Sequence, residues 1–186
     1  MTWTVGDIEA ALGGGPIPGL TQAMVDAALG QVRGWCRWHV TPNRTETLTL
    51  DADGAHLHLP SLRVTGVASV TNADTGSALT GWRWSKVGSI SGRWPQGFRR
   101  VTVEFTHGYD PAEVPEVLMV VAQVARRMAA AGAAAASGAV GPVSQEAIGT
   151  YSQSFDTSAF TGSGGGAGLT VAEQNIVRAH RLGRIE

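Results

Sequence analysis

The apolar residues of this chain change their repeat twice, and that change limits the fold more than any other feature. Between Thr45 and Tyr109 the repeat is two residues; before and after it the repeat is three to four. A repeat of two sends successive side chains to opposite faces of a strand, whereas one near 3.6 gathers them on one face of a helix. The chain therefore reads as α+β: two long packed helices with an inserted small antiparallel β-sheet of four to five strands, plus an extended C-terminal arm and a short terminal helix.

The details follow from local chemistry. Thr4-Val5-Gly6-Asp7 resembles a capping box, which opens a short helix over residues 5–12. The run GGGPIPG breaks it. A longer helix is expected over residues 20–40, with Val25, Leu29, Val32, Cys36 and Val40 in one stripe, widened by Trp35 and Trp38, and Pro42 as the stop. The insert spans residues 45–109. Thr47-Leu48-Thr49-Leu50 and His56-Leu57-His58-Leu59 alternate around a turn-forming Asp51-Ala52-Asp53-Gly54, which predicts a hairpin. Further strands are expected over residues 64–71, 81–90 and 99–105, with Trp82 and Trp84 on one face and Arg83 on the other.

Pro115 suits the first turn of the second long helix, over residues 115–131, so Asp110-Pro111-Ala112-Glu113 reads as a turn. The expected stripe is Val117, Val121, Val124 and Met128, flanked by Leu118, Ala122 and Ala125. Arg126 and Arg127 should lie near the helix end, where cations favour the dipole. These elements make a core of residues 1–131. Residues 132–168 read as a flexible spacer and extended arm, with Tyr151 and Phe155 as the large apolar groups of the segment 143–155. Residues 169–186 hold a docking helix that opens on the capping box Thr170-Val171-Ala172-Glu173 and carries Leu169, Ala172 and Ile176 on one side. Such a short helix is marginal alone and needs a surface in its own subunit or in a partner.

Composition narrows the function. Of 186 residues, 16% are charged and the net charge is -1, so no basic excess marks a protein that grips phosphates. The one cysteine, Cys36, excludes an internal disulfide and fits a reducing compartment. The N-terminal segment lacks the basic start and apolar run of a signal peptide. Uninterrupted apolar runs such as residues 133–136 are too short to cross a bilayer, so no membrane is expected as a partner.

Each chemical candidate competes with a structural explanation. Cys36 and His39 are spaced like a metal pair but lack a second pair, and His56 and His58 share a strand face without a third ligand. Gly162-Ser163-Gly164-Gly165-Gly166-Ala167 copies a dinucleotide-loop pattern, but without the βαβ unit it must open. Ser89 and Ser91 do not occupy the centre of a nucleophile elbow. His107 and Asp110 could act as base and orienter of a small hydrolase. The competing explanation is a structural hinge of His107, Gly108, Tyr109 and Pro115, in which glycine permits a bend and the tyrosine anchors it. We therefore expect no catalytic residue, no metal and no cofactor.

The order VTVEFTHGYD, VPEVLMVVAQVARRM, GPVSQEAIGTYSQSF and LTVAEQNIVRAHR resembles the head-to-tail adaptor (connector) proteins of tailed bacteriophages, in particular those of actinobacteriophages. The matching residues are Thr106, His107, Gly108, Tyr109, Val114, Pro115, Glu116, Arg126, Arg127, Gly149, Tyr151, Ser152, Leu169, Thr170, Glu173 and Arg181. The resemblance covers the chain from about Arg99 onwards; before that only element order agrees. It departs from the family in the Ala/Gly-rich spacer 129–141 and in the glycine-laden linker before the last helix. It implies a non-enzymatic ring component of the virion neck, typically dodecameric, present in the host cytoplasm during assembly. The implied partners are the portal protein, neighbouring copies and a stopper or tail-completion protein, with genomic DNA passing through the channel without sequence-specific binding. The alternative within the neck is that the chain is itself a stopper or tail-completion protein. Expected portal or neighbour contacts are Tyr151 and Phe155 on the arm, and Leu169, Ile176, Arg178 and Arg181 around the last helix.

Overall fold

The computed structural model describes residues 3–52, 54–136, 145–148, 151–154 and 168–183. They form two compact units. One is helical and comprises Trp3–Trp35 and Pro115–Ala179; the other is built on Cys36–Val114 and takes in the chain from His180.

The helical unit begins with α1 (Val5–Ala11), capped as its sequence predicts: the Asp7 N–H donates to Thr4 Oγ1 and the Thr4 N–H to Asp7 Oδ2. Next comes α2 (Gln22–Cys36), which buries Val25, Ala28, Leu29, Val32 and Cys36. It ends before the expected Val40. Arg37 turns left-handed at φ 66°, and Trp38, His39 and Val40 are buried as non-helical chain. Helical spacing continued through Val40, but burial in the other unit, not period, decided the stop.

The long helix α3 (Pro115–Ala136) buries Val117, Val120, Val121, Ala122, Val124, Ala125 and Ala129; Met128 is only half-buried. It outruns its expected end, because alanine is the best helix former and the spacer's first residues are nearly all alanine. Arg126 and Arg127 therefore sit mid-helix, not at the C-terminal dipole. By length and composition Pro115–Ala134 could span a bilayer, which the uninterrupted apolar runs did not reveal. Its buried valine stripe is that of a core helix. The helix packs against α1 and against α4 (Val171–Ile176), which a 3-10 turn, Val177–His180, prolongs. Gln145–Ile148 (β7) and Tyr151–Ser154 (β8), expected as an extended arm, pair as an antiparallel hairpin.

The other unit holds β1 (Arg44–Ala52), β2 (His56–His58), β3 (Val64–Asn72), β4 (Arg83–Trp84), β5 (Ser89–Ser91) and β6 (Gly97–His107). They form two antiparallel three-stranded sheets, β1-β6-β3 and β2-β5-β4, and not one sheet of four to five strands. The expected hairpin of β1 with β2 does not form. The eleven-residue β6 is long enough to pair with β1 on one edge and β3 on the other, and β2 pairs with β5. The Gln96 side chain bonds the backbone N–H and C=O of Gly54, holding the supposed hairpin turn to a distant segment. The single strand expected over residues 81–90 is split by a turn into β4 and β5. At its end Gly88 has φ 82°, and a Cβ there would lie 2.5 Å from the Ser61 carbonyl oxygen. Both sheets feed one core of Leu57, Leu59, Val64, Val70, Ile90, Trp94, Val101, Val103 and Phe105, with Trp82 and Trp84 packed on it and Arg83 exposed.

Candidate functional site

Alternation along β6 decides where His107 goes. Val101, Val103 and Phe105 face the core, while Thr102, Glu104 and Thr106 face out. His107 is the next inward position, and it is buried, with its ring 4.7 Å from Phe105, 5.6 Å from His39 and 6.5 Å from Trp38 between centroids. Its Nε2 lies 3.0 Å from Glu46 Oε2, on the partner strand β1. Burial holds His107 below the ordinary histidine value against the opposing pull of Glu46. Burial pushes Glu46 up, but hydrogen bonds from Arg44 and His107 outweigh it and the carboxyl sits below the usual range. A neutral ring donating from Nε2 to a carboxylate fits both shifts. Its Nδ1 is buried without a hydrogen-bond partner among the described residues.

Asp110, the candidate orienter, is occupied elsewhere. It caps the 3-10 turn Pro111–Glu113, accepting from the Ala112 N–H at 3.0 Å, while the Glu113 side chain accepts from the Asp110 N–H. The carboxylate that bonds His107 comes instead from Glu46, 61 positions away, which local sequence could not signal. Gly108 has φ 102°, and a Cβ there would lie 2.9 Å from the Pro42 carbonyl oxygen. The Tyr109 N–H donates to the Val40 carbonyl at 2.7 Å. The Tyr109 ring meets Trp38 edge-on at 5.9 Å and His180 at 5.3 Å, with the Arg63 guanidinium 5.6 Å from its centroid. The Trp38 indole N–H donates to the His180 carbonyl at 2.6 Å. The corner thus ties the strand end to the chain that follows α4. Pro115, the last of the four expected hinge residues, is exposed and opens α3.

The metal candidates separate in the same way. Burial pushes the Cys36 thiol up to about 11, with Arg181 pulling weakly the other way, so the thiolate that a metal requires is disfavoured. His39 Nε2 lies 2.5 Å from the Pro42 carbonyl oxygen. His56 and His58 are exposed neighbours on β2. Among the described residues no group of three His, Cys, Asp or Glu is placed to hold a metal ion.

The second candidate surface is α4. Glu173 is buried and makes a two-pronged ion pair with Arg127 of α3, at 2.5 and 2.8 Å, and it also accepts from the Thr170 N–H and hydroxyl. Burial raises the Glu173 carboxyl, but these partners together bring it below the usual range. Arg127 further donates to the Gly168 carbonyl. The inward face of α4 and the turn after it therefore carries Glu173 and Val177, while the side expected to dock, in its own subunit or in a partner, was Leu169, Ala172 and Ile176. Leu169 is half-buried, and Ala172, Ile176, Arg178 and Arg181 are exposed. Val171 joins them, 74% exposed. The helix docks in its own chain and presents a second face outward. Tyr151 lies in β8, whose backbone alone is described, and Phe155 lies outside the described residues.

No family model and no curated sequence matches the chain. The fold does have relatives. It is similar to a chain in the neck of a native GTA particle computed with C12 symmetry, with TM-score 0.52 and 18% identity over 90% of this chain and 86% of that one. Lower scores, 0.48 and 0.47 at 16% identity, relate it to chains in the neck of an empty GTA particle computed with C6 symmetry and in the virion of a native gene transfer agent particle. Those two cover 88% of this chain and 78% and 77% of theirs. At such identities the likeness is one of fold, and the comparison rests on the first.

Proposed function

We propose that this chain is a non-enzymatic structural component of the neck of a tailed-phage-like particle, and within the neck the adaptor that forms a ring beneath the portal. The carrying observation is the fold shared over nine-tenths of the chain with a neck chain computed with C12 symmetry. The ordered motifs from Thr106 to Arg181 support the same reading, and so does a buried His107 bound to the carboxylate of Glu46. In this reading the ring lengthens the DNA channel and carries the next neck or tail protein. The nearly neutral charge suits a channel through which DNA slides.

The outward face of α4 is the portal contact in this reading. Ile176 is 46% exposed and Arg178 is exposed beside it, while Glu173 and Val177 hold the helix in place. Removing the whole tail would strip partners from Arg127 and Trp38, so surface substitutions make the cleaner test. Ile176→Asp with Arg178→Glu should abolish co-sedimentation with isolated portal rings and leave the melting temperature unchanged. Normal attachment of that variant would end the portal-contact assignment. Wild-type protein that fails to bind portal rings but binds an adaptor already seated on them would instead be a stopper or tail-completion protein.

A further inference from the structure

Opposite Asp51 the pairing of β1 with β6 is interrupted: Leu50 faces Val101 and Ala52 faces Gly97, so Phe98, Arg99 and Arg100 together oppose one residue. Bulges of this kind re-aim side chains. Here the bulge is held in place. Arg99 is left-handed at φ 49°, its N–H donates to Asp51 Oδ1 at 2.8 Å, and the Arg100 guanidinium pairs with Asp74. The product is Phe98 at 82% exposure, the most exposed large apolar side chain among the described residues, between exposed Arg99 and exposed Asp51. A non-glycine residue in this conformation costs stability that the fold must offset elsewhere, and such strain is concentrated at functional positions.

The helical unit carries a matching hollow. The loop after α1 and one face of α3 enclose a groove of about 450 Å³ lined by Leu12, Pro16, Ile17, Pro18, Ala130 and Ala133. That is spacious enough for an aromatic side chain. Glu9 lies beside the groove, its Oε1 accepting the N–H of the lining residue Ile17 at 3.0 Å, and exposed Arg126 is part of the lining. Knob and groove are each flanked by one carboxylate and one guanidinium.

We propose that Phe98 of one copy of this chain enters the α1–α3 groove of the next, with Arg99 towards Glu9 and Asp51 towards Arg126. The occupant is a second copy, because the flanking charges pair in both directions. Knob and groove are different surfaces, so the contact is head-to-tail, the kind that closes a ring when the rotation between copies closes. Inside the groove the Phe98 ring also offers a π-face to Arg126. The proposal rests on the neck-ring reading and names the surface through which the ring closes.

Cysteine trapping tests it. Cys36 is buried with its thiol pushed up to about 11, so it stays silent under mild oxidation. Equal mixtures of Phe98→Cys and Ala130→Cys, assembled on portal rings, should give a disulfide-linked dimer, and the doubly substituted chain should give a ladder of higher multimers. Phe98→Cys mixed with Met119→Cys, an exposed position on α3, is the control. Phe98→Ala should weaken assembly by about tenfold or more without lowering the melting temperature. Rings of normal mass with no 98–130 trapping above the control would overturn the contact and leave the neck reading intact. Equally efficient trapping of Phe98→Cys with itself would also overturn it. Wild-type protein that neither oligomerises nor binds portal would remove both.

Discussion

Two adjacent residues at the end of β6 show how little tolerance the corner has. Gly108 combines a left-handed backbone with a carbonyl where a Cβ would sit. Gly108→Ala should cost about 2–4 kcal/mol in equilibrium denaturation; a loss below 0.5, on the order of a surface substitution, would show that the corner can relax. His107 carries a pH dependence of definite sign. Its folded-state value lies below the unfolded one, so between the two the unfolded chain binds more protons. Its contribution is complete above about pH 6.5 and is lost as pH falls from there through the folded value. His107→Gln, which keeps a donor for Glu46, should flatten the urea midpoint over that window. An unchanged slope would mean that the ring does not titrate with folding. The alternation of β6 made an inward His107 readable in advance, but Glu46 was not, because cross-strand partners depend on register.

At the scale of elements, the terminal helix tests what holds a short helix in place. Its capping box was legible in Thr170 and Glu173, yet the same Glu173 also forms the ion pair with α3. Glu173→Gln leaves Arg127 without its charge partner and should cost about 2–4 kcal/mol, less if α4 detaches and lets Arg127 reach water. Faster amide exchange over residues 171–180, with α1 and α3 unchanged, is the expected readout. Replacing both partners, Arg127→Met with Glu173→Leu, should restore part of the protection. Because Glu173 has a depressed folded value, the docking is present above about pH 4.3 and is lost as pH falls through that folded value. Spacing alone grouped Ile176 with Leu169 and Ala172 on one docking side, but it could not say that Glu173 and Val177 would turn inward. On a six-residue helix, one buried ion pair outweighs a weak apolar stripe.

For the whole molecule, the proposed contact between copies and the proposed portal contact predict two separable steps of assembly. Phe98→Ala should impair association between copies while portal affinity per subunit persists. Ile176→Asp with Arg178→Glu should do the reverse. Sedimentation velocity with and without portal rings distinguishes the two, and a common defect in both variants would mean that ring closure and attachment share one surface. Neither surface was legible in full. Phe98 follows a run of turn residues and shows no period, and its exposure is a consequence of the bulge against Asp51.

The residue pattern alone determined the element types, because periodicity and capping act over a few neighbouring residues. The α1 and α4 caps, the long valine helix, the turn at Asp110 and the β insert between helices all follow from it. Only the tertiary structure decided which strand pairs with which, where α2 stops, which face of α4 turns inward and which carboxylate meets His107. Those outcomes are competitions between distant partners for the same backbone groups and the same buried volume. β6 won β1 from β2 because it offered more hydrogen bonds and a continuous apolar face, and no local signal encodes that comparison.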